Sequence, residues 1–203
     1  MVDRAPLILA SASPRRRQLL ENAGLDFVVD VSTFDEDRVR HLPPRLQALL
    51  AARGKALDVH RRHPDAWIVG ADTVVALEGV ALGKPRHPHD AALMLRSLSD
   101  RDHFVHSALC LVAPDGRRAS GLASSQVRLA RLTPSQVRAY VAGGEPLGKA
   151  GAYAIQGQAG EFARVVRGRR DTVIGLSMSL LARLLRQLGH PAARGLSDNL
   201  DPS

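Results

Sequence analysis

Near the start of the chain stands the sequence Leu9-Ala10-Ser11-Ala12-Ser13-Pro14-Arg15-Arg16-Arg17-Gln18-Leu19-Leu20-Glu21-Asn22-Ala23-Gly24. It continues the apolar run 7–10, which is typical of a buried strand. Ser13 is a good N-cap residue and Pro14 suits the first helical position, so we expect a helix to begin there. Gly24 suits the position just after a helix end. The stretch therefore predicts a strand, a tight serine-rich turn and a helix.

The charge at this helix start is unusual. Arg15, Arg16 and Arg17 fall in the first turn, where the helix macrodipole is already positive and acidic side chains are preferred. Free amides, two serines and arginines that grip oxygen atoms in pairs are the parts of a phosphate cradle. The alternative is a solvated basic face on a surface helix. This stretch alone does not decide between the two interpretations.

Length and composition limit the class of protein to which the chain can belong. The 203 residues fit one domain, and the 45% of hydrophobic residues supply a core. The single cysteine, Cys110, excludes a disulfide within the chain and fits a reducing compartment. No run approaches the roughly 20 apolar residues of a membrane span, and no signal peptide is recognisable. We therefore expect a cytoplasmic protein with no membrane contact.

The chain is strongly basic. A formal net charge of +8 indicates an anionic partner. Aromatic residues make up only 3% of the chain, which is a poor supply of stacking surfaces for single-stranded nucleic acid. We therefore do not expect a nucleic-acid partner.

The rest of the pattern predicts a mixed sheet. Residues 66–77 are expected to form a strand that returns through a turn into a hairpin with 80–82. Two long strands, 103–112 and 120–132, favour antiparallel pairing over a doubly wound parallel sheet. We expect one domain over residues 1–192 and a flexible tail over 193–203.

A helix is predicted after Pro43-Pro44. Its leucines at positions 46, 49, 50 and 57 share one side, which predicts the buried face. Lys55 falls nearly opposite, beside the alanines at 48, 51 and 52. Taken alone it is a surface lysine, although the small alanines also allow another segment to approach and enclose it in a cleft.

Other charged residues stand at turns and within a strand. Glu36 belongs to the acidic triplet 35–37, which is either a solvated turn or a site for a divalent cation. Asp72 interrupts an apolar strand, where a buried acid needs a partner, an edge position or a function. Lys84 lies in the restricted turn 83–85, which suits aiming an ammonium group at a phosphate.

Residues 145–160 are rich in glycine, which allows a backbone to approach a ligand closely. The sequence has no G-x-x-x-x-G-K-[ST], no G-x-G-x-x-G after a strand, no H-E-x-x-H and no C-x-x-C. The candidate functional residues are therefore cations, which can bind phosphate oxygens, and carboxylates, which can bind a divalent metal. Together they indicate metal-assisted phosphoryl chemistry.

Five motifs stand in order along the chain. They are Ser11-Ala12-Ser13-Pro14-Arg15-Arg16 followed by Leu19-Leu20, Asp35-Glu36, Gly70-Ala71-Asp72-Thr73-Val74-Val75, Leu82-Gly83-Lys84-Pro85, and Lys149-Ala150-Gly151-Ala152-Tyr153-Ala154-Ile155-Gln156-Gly157. In this order and spacing they resemble the Maf family of nucleotide pyrophosphatases. The similarity extends from about residue 7 to about residue 188.

The resemblance implies an α/β fold with an elongated mixed β-sheet, flanking helices and a cleft between two lobes, similar to inosine-triphosphate pyrophosphatases. It implies hydrolysis of a nucleoside triphosphate to the monophosphate and pyrophosphate, with a divalent metal cation, Mg²⁺ or Mn²⁺. The expected partners are the nucleoside triphosphate and a second copy of the chain in a homodimer.

The resemblance also implies roles for single residues. Asp72 would be the catalytic base that activates water, and Glu36 would join Asp72 in holding the metal. The residues that would bind the triphosphate are Ser11, Arg15, Arg16, Lys55 and Lys84. The residues that look like the dTTP/UTP branch, and would set specificity, are Arg15, Thr73 and Gln156.

Two departures from the family pattern affect specificity. Gly148 stands where the branch commonly has Asp, and residues 169–177 replace a usual Gly-x-Tyr-x-Asn-Val-Val-Gly-Leu-Pro segment. Modified pyrimidine nucleotides are further candidate substrates. The alternatives are the 7-methyl-GTP branch of the same family, and a basic nucleic-acid-binding or septum-associated regulator that has kept the fold without catalysis.

Overall fold

The computed structural model describes residues 5–196, in which strands and helices are joined by short turns. The strands are β1 (Leu7–Leu9), β2 (Val28–Val29), β3 (Trp67–Leu77), β4 (Val80–Leu82), β5 (Asp102–Val112), β6 (Arg118–Leu129) and β7 (Ala163–Arg167). The helices are α1 (Pro14–Asn22), α2 (Pro44–His60), α3 (Pro88–Leu98), α4 (Pro134–Ala142), α5 (Arg170–Ile174) and α6 (Met178–Leu188). Single 3-10 turns span Glu36–Val39, Ala150–Ala152, Gln158–Glu161 and Pro191–Arg194.

The seven strands form one mixed sheet in the order β2-β1-β3-β5-β6-β7, with β4 paired to β3. β1 is parallel to β2 and to β3, whereas β3, β4, β5, β6 and β7 pair antiparallel. One face of the sheet packs against α2, and the other buries apolar side chains of α1, α3 and α6. The expected mixed α/β sheet with flanking helices is confirmed.

Helix α2 packs on the sheet through its alanines. Ala52 and Ala56 are fully buried, whereas Leu46 is 43% exposed. A Cβ atom added to Gly70 of β3 would lie only 2.2 Å from the carbonyl oxygen of Ala52, so the two backbones touch directly. Leucine side chains are too large for so close an approach. The predicted leucine face was therefore wrong, and Lys55 lies on the buried face.

The edge of β3 is open at its middle. On the side away from β5, β1 pairs with Trp67–Val69 and β4 pairs with Val75–Leu77. Among the residues that the structure describes, no strand pairs with 70–74 on that edge. Asp72 and Thr73 lie in this gap, beside the point where β1 ends and the chain turns into α1. The interrupted pairing therefore leaves room for a cleft at these two residues.

The packed domain extends to the end of the described residues. Ala193 and Leu196 are buried against the main core, so the flexible tail expected from residue 193 does not begin there. Residues 197–203 of that tail lie outside the described residues. Within 5–196, every helix is too short or too polar to cross a membrane.

Candidate active site

A cleft of about 580 Å³ opens at the gap in β3. The start of α1, the buried face of α2, the middle of β3 and the segments 147–150, 153–156 and 173–175 form its walls. The structure brings together here all the site residues that the sequence suggested. They are Ser11, Arg15, Arg16, Glu36, Lys55, Asp72, Thr73, Lys84 and Gln156.

The start of α1 faces the cleft. Ser13 caps the helix by accepting from the backbone amide of Arg16 at 3.5 Å, as the sequence predicted. Arg15 is half-buried at the cleft wall, Arg16 is buried, and Arg17 is exposed away from it. The three arginines of the first turn therefore have three different environments.

Arg16 ties several parts of the site together. Its Nε donates to the carbonyl oxygen of Gly175 at 2.9 Å, one Nη donates to Ser11 Oγ at 2.8 Å, and the other donates to Thr73 Oγ1 at 3.0 Å. Thr73 in turn donates to the same Gly175 carbonyl at 3.3 Å. Every guanidinium nitrogen of Arg16 thus contacts a protein oxygen, and the side chain fixes the positions of Ser11 and Thr73.

A lysine joins the two carboxylates of the site. Lys55 Nζ lies 2.6 Å from Glu36 Oε1 and 2.7 Å from Asp72 Oδ1. Burial raises the pKa of Asp72, and the nearby charges of Lys55 and Arg16 oppose that rise. Burial also favours a raised pKa for Glu36, but contacts with Lys55 and the charge of Lys84 outweigh it and lower that pKa. Asp72 is the acid that the sequence analysis expected to need a partner if buried, and Lys55 is that partner.

The loop that carries Glu36 is fastened to α2 by Asp58, a residue that the sequence analysis missed. Asp58 Oδ2 accepts from the Thr33 amide at 2.8 Å, from Ser32 Oγ at 2.8 Å and from an Arg62 Nη at 3.2 Å. These bonds outweigh the effect of burial and lower the pKa of Asp58 from its ordinary 3.8 to about 2. The sequence offered only an acid three residues after Lys55, because the leucine spacing had assigned a different side of this helix to the core.

The opposite wall carries Gln156 and the two departures from the family pattern. Gln156 is exposed to the cleft on a turn closed by a hydrogen bond of 2.9 Å from the Gly157 amide to the Ala154 carbonyl. Gly148 lines the same wall, and the replaced segment contributes residues 173–175. Both departures therefore lie at the surface of the cleft.

A second group of candidate ligands lies outside the cleft. His87, His89 and Asp90 place one ligand atom each within 4.8 Å of one another. His87 Nδ1, however, accepts from the Asp90 amide as the N-cap of α3, and Arg86 Nε lies 3.2 Å from Asp90 Oδ2. A helix N-terminus and an arginine both disfavour a cation at this place. We interpret the group as a helix cap.

The family model described as Maf-like protein matches residues 6–188 of the chain. A protein of Gloeobacter violaceus named dTTP/UTP pyrophosphatase is 45% identical over 181 residues, which are 89% of this chain and 95% of the relative. A protein of the same name from Moorella thermoacetica is 45% identical over 90% of this chain and 95% of its own length.

Among solved structures, a nucleoside-triphosphatase (dITP/XTP pyrophosphatase) of Mycobacterium abscessus shares 20% identity over 63% of this chain and 75% of that chain, with a TM-score of 0.40. A similarity of that size supports no inference about function. The family match over most of the chain confirms the resemblance seen in the five motifs. The chain belongs to the Maf family.

Proposed function

We propose that the protein hydrolyses nucleoside triphosphates to the monophosphate and pyrophosphate, with dTTP and UTP preferred and modified pyrimidine nucleotides as further substrates. The observation that carries the proposal is the contact of Lys55 with both Glu36 and Asp72, in a cleft that Arg15 and Lys84 also line. Positively charged side chains that can bind a triphosphate thus face the same cavity as a carboxylate that can activate water. The names of two relatives at 45% identity support the choice of substrate.

In this proposal Asp72 is the general base. Asp72 takes a proton from water as the water oxygen forms a bond to the α-phosphorus. The bond between that phosphorus and the leaving pyrophosphate breaks in the same step. Burial, which raises the pKa of Asp72, strengthens the carboxylate as a base, while Lys55 and Arg16 favour its ionised form. In this setting the Asp72 carboxylate is a stronger base and is also ionised, as it must be to accept a proton.

The start of α1 binds phosphate oxygens in this proposal. The Ser11 hydroxyl lies at the cleft, and Arg15 and Lys84 supply positive charge for a triphosphate of about four negative charges. Arg16 holds Ser11 and Thr73 in place from behind. The arginine-rich first turn thereby combines anion binding with internal support.

The donor chemistry of the site fits a divalent cation. Glu36 and Asp72 bring carboxylate oxygens to one place, and hard cations such as Mg²⁺ and Mn²⁺ take oxygen ligands. Glu36 and Asp72 are the residues that would hold the ion, beside their shared contact with Lys55. When bound, such an ion neutralises charge on the triphosphate and on the leaving pyrophosphate.

Base recognition is assigned to Gln156. Its amide both donates and accepts, which matches the carbonyl and imide edge shared by thymine and uracil. Arg15 and Thr73 complete the specificity set, Thr73 through the position that Arg16 gives it. A pyrimidine would then lie against the wall formed by residues 153–156.

A panel of nucleotides tests the proposed function. Purified protein is incubated with Mg²⁺ or Mn²⁺ and dTTP, UTP, CTP, ATP, GTP or 7-methyl-GTP, and pyrophosphate and monophosphate are measured. We expect equal amounts of both products, with dTTP and UTP fastest. Preference for 7-methyl-GTP would assign the chain to the other branch. Absence of pyrophosphate from every nucleotide, with salt-sensitive DNA binding, would favour the regulator instead.

The proposal includes a homodimer in the cytoplasm. The buried, unpaired Cys110 supports a reducing compartment. Exposed apolar side chains on the sheet, Val80 and Phe104, support a second copy of the chain as their partner. Light scattering with size-exclusion chromatography measures the mass in solution, and a monomer at micromolar concentration would contradict the homodimer.

A further inference from the structure

Glu145 is a hydrogen-bonding centre beside the cleft. It follows α4 and is half-buried. Its carboxylate accepts from the Tyr140 hydroxyl at 2.7 Å, from the Gln158 amide at 2.9 Å and from the Ala159 amide at 3.5 Å. One side chain therefore satisfies two consecutive backbone amides just after the turn that presents Gln156.

Tyr140 extends this anchoring to the start of the same turn. Its hydroxyl oxygen accepts from the Ala154 amide at 3.4 Å while its proton is donated to Glu145. Burial, together with the neighbouring carboxylate, raises the pKa of Tyr140, so the hydroxyl keeps the proton that it donates. The segment 154–159 is thus fixed at both ends, with Gln156 between the two anchors.

The fit between Glu145 and this segment is close. A Cβ atom added to Gly157 would lie 2.4 Å from Glu145 Oε2, so the carboxylate rests directly on the backbone of the turn. Lys149 Nζ also donates to the carbonyl oxygen of Glu145 and fastens the preceding part of the wall. A larger residue at 157 would displace the carboxylate from its amide partners.

Glu145 also carries charge toward the start of α1. Burial favours a raised pKa for Glu145, but the bonds from Tyr140 and the two amides outweigh it and lower the pKa, so the group is ionised at neutral pH. Burial lowers the pKa of Arg15, and the charge of Glu145 opposes that effect. The carboxylate therefore stabilises two of the residues assigned to substrate choice.

We propose that Glu145, supported by Tyr140, is a positioning residue for nucleobase selection: it holds the 154–159 turn so that Gln156 meets the base edge. The inference rests on the proposed function, because that function assigns Gln156 to the base. It predicts a defect in binding and in discrimination between bases, and leaves the hydrolytic step to Asp72.

The test compares Glu145→Gln with Glu161→Gln, which removes the same charge from an exposed position just after the 154–159 turn. We expect Glu145→Gln to raise KM for dTTP and UTP about tenfold and to lower the kcat/KM ratio of UTP to CTP by a similar factor, with kcat within about twofold. Tyr140→Phe should produce a smaller change of about threefold in the same direction. Glu161→Gln should match the wild type.

Hydrogen exchange separates this inference from the proposed function. The amides of Gln158 and Ala159 should exchange faster in Glu145→Gln than in Glu161→Gln, whether or not the protein turns over a nucleotide. Unchanged exchange, or a loss of kcat with KM and the UTP-to-CTP ratio intact, would overturn the positioning role. A wild type that releases no pyrophosphate from any nucleotide would instead overturn the proposed function, and with it the nucleobase role.

Discussion

The two walls of the cleft are built in different ways. Glu36, Lys55 and Asp72 meet through direct ion pairs, and two of them stand on α2 and β3, whose backbones touch. The opposite wall, residues 145–161, consists of turns, and its shape depends on bonds from Glu145 to backbone amides. The charged groups proposed for chemistry are thus supported mainly by regular structure, whereas the groups proposed for selection stand on a fastened loop.

This difference separates the expected effects of substitutions. Changes at the ion-pair wall should alter the rate, because they touch the base, the cations or the metal ligands of the proposed reaction. Changes at the loop wall should alter affinity and selectivity, because they move the surface that a base would contact. Substitutions that violate this division would show that the two walls do not act separately.

The largest effect is expected from Asp72→Asn. The amide can still accept from Lys55 but cannot take a proton from water, so kcat for dTTP should fall by about 10² to 10⁴-fold while the fold persists. Pyrophosphate release measures the rate, and circular dichroism checks the fold. Asp26→Asn, at an exposed position, is the matched control and should keep full activity. Activity retained in Asp72→Asn would remove Asp72 from the role of base.

Lys55→Met tests the centre of the ion-pair wall. The ammonium group lowers the pKa of Asp72, so its loss should move the acidic limb of the kcat/KM profile to higher pH, because the base then ionises later. We also expect about a 10²-fold fall in kcat/KM at neutral pH, from the lost stabilisation of the phosphates.

The control for this variant lies on the same helix. Arg53→Met removes a cation from the exposed side of α2 and should leave both the rate and the pH profile unchanged. An unshifted acidic limb in Lys55→Met would show that Asp72 is not the group that titrates in the profile.

The sequence predicted the ion-pair wall better than the loop wall, for a physical reason. An acid inside an apolar strand and a capped helix start rich in arginine are local anomalies, so Asp72 and Arg15 stand out from their neighbours, although for Arg15 those neighbours left a solvated surface as the alternative. Glu145 shows no such anomaly, because its three partners are a tyrosine hydroxyl and two backbone amides that only the folded chain brings to it. Because almost any residue type can supply a backbone amide, such partners cannot be recognised from the residue types in the sequence.

Helix α2 shows a second limit of sequence reasoning. Hydrophobic spacing assigns the leucines to the core, yet the alanines are buried, because contact between α2 and the backbone of β3 at Gly70 leaves no room for larger side chains. The same contact explains why Lys55 faces the cleft and not solvent. Close backbone packing is a property of the pair of elements, and neither element shows it alone.

Asp58→Asn tests how firmly the Glu36 loop is attached. The pKa of Asp58 is about 2 in the folded protein against an ordinary 3.8, so its stabilisation is complete above about pH 5 and is lost as the pH falls through 4 toward 2. We expect the variant to lose about 1 to 2 kcal/mol of unfolding free energy at pH 7 and to approach the wild type near pH 2 to 3.

Urea denaturation at several pH values measures this difference. Asp65→Asn, an exposed acid just after α2, is the control and should follow the wild type at each pH. A gap between Asp58→Asn and the wild type that stays constant with pH would show that the ionised carboxylate is not what holds the loop.

The smallest effect is expected from Gln156→Ala on the loop wall. Its amide stands at the exposed crest of the turn, so its loss removes one or two neutral hydrogen bonds to the base, about 0.5 to 1.5 kcal/mol each. KM for dTTP and UTP should rise by up to about tenfold, with kcat at saturation nearly unchanged, because the ion-pair wall is intact.

Gln158→Ala keeps the backbone amide that bonds to Glu145 and lies outside the cleft lining, so its KM should match the wild type. A fall in kcat without a change in KM for Gln156→Ala would mean that the loop wall takes part in the chemistry, and the division between the two walls would fail.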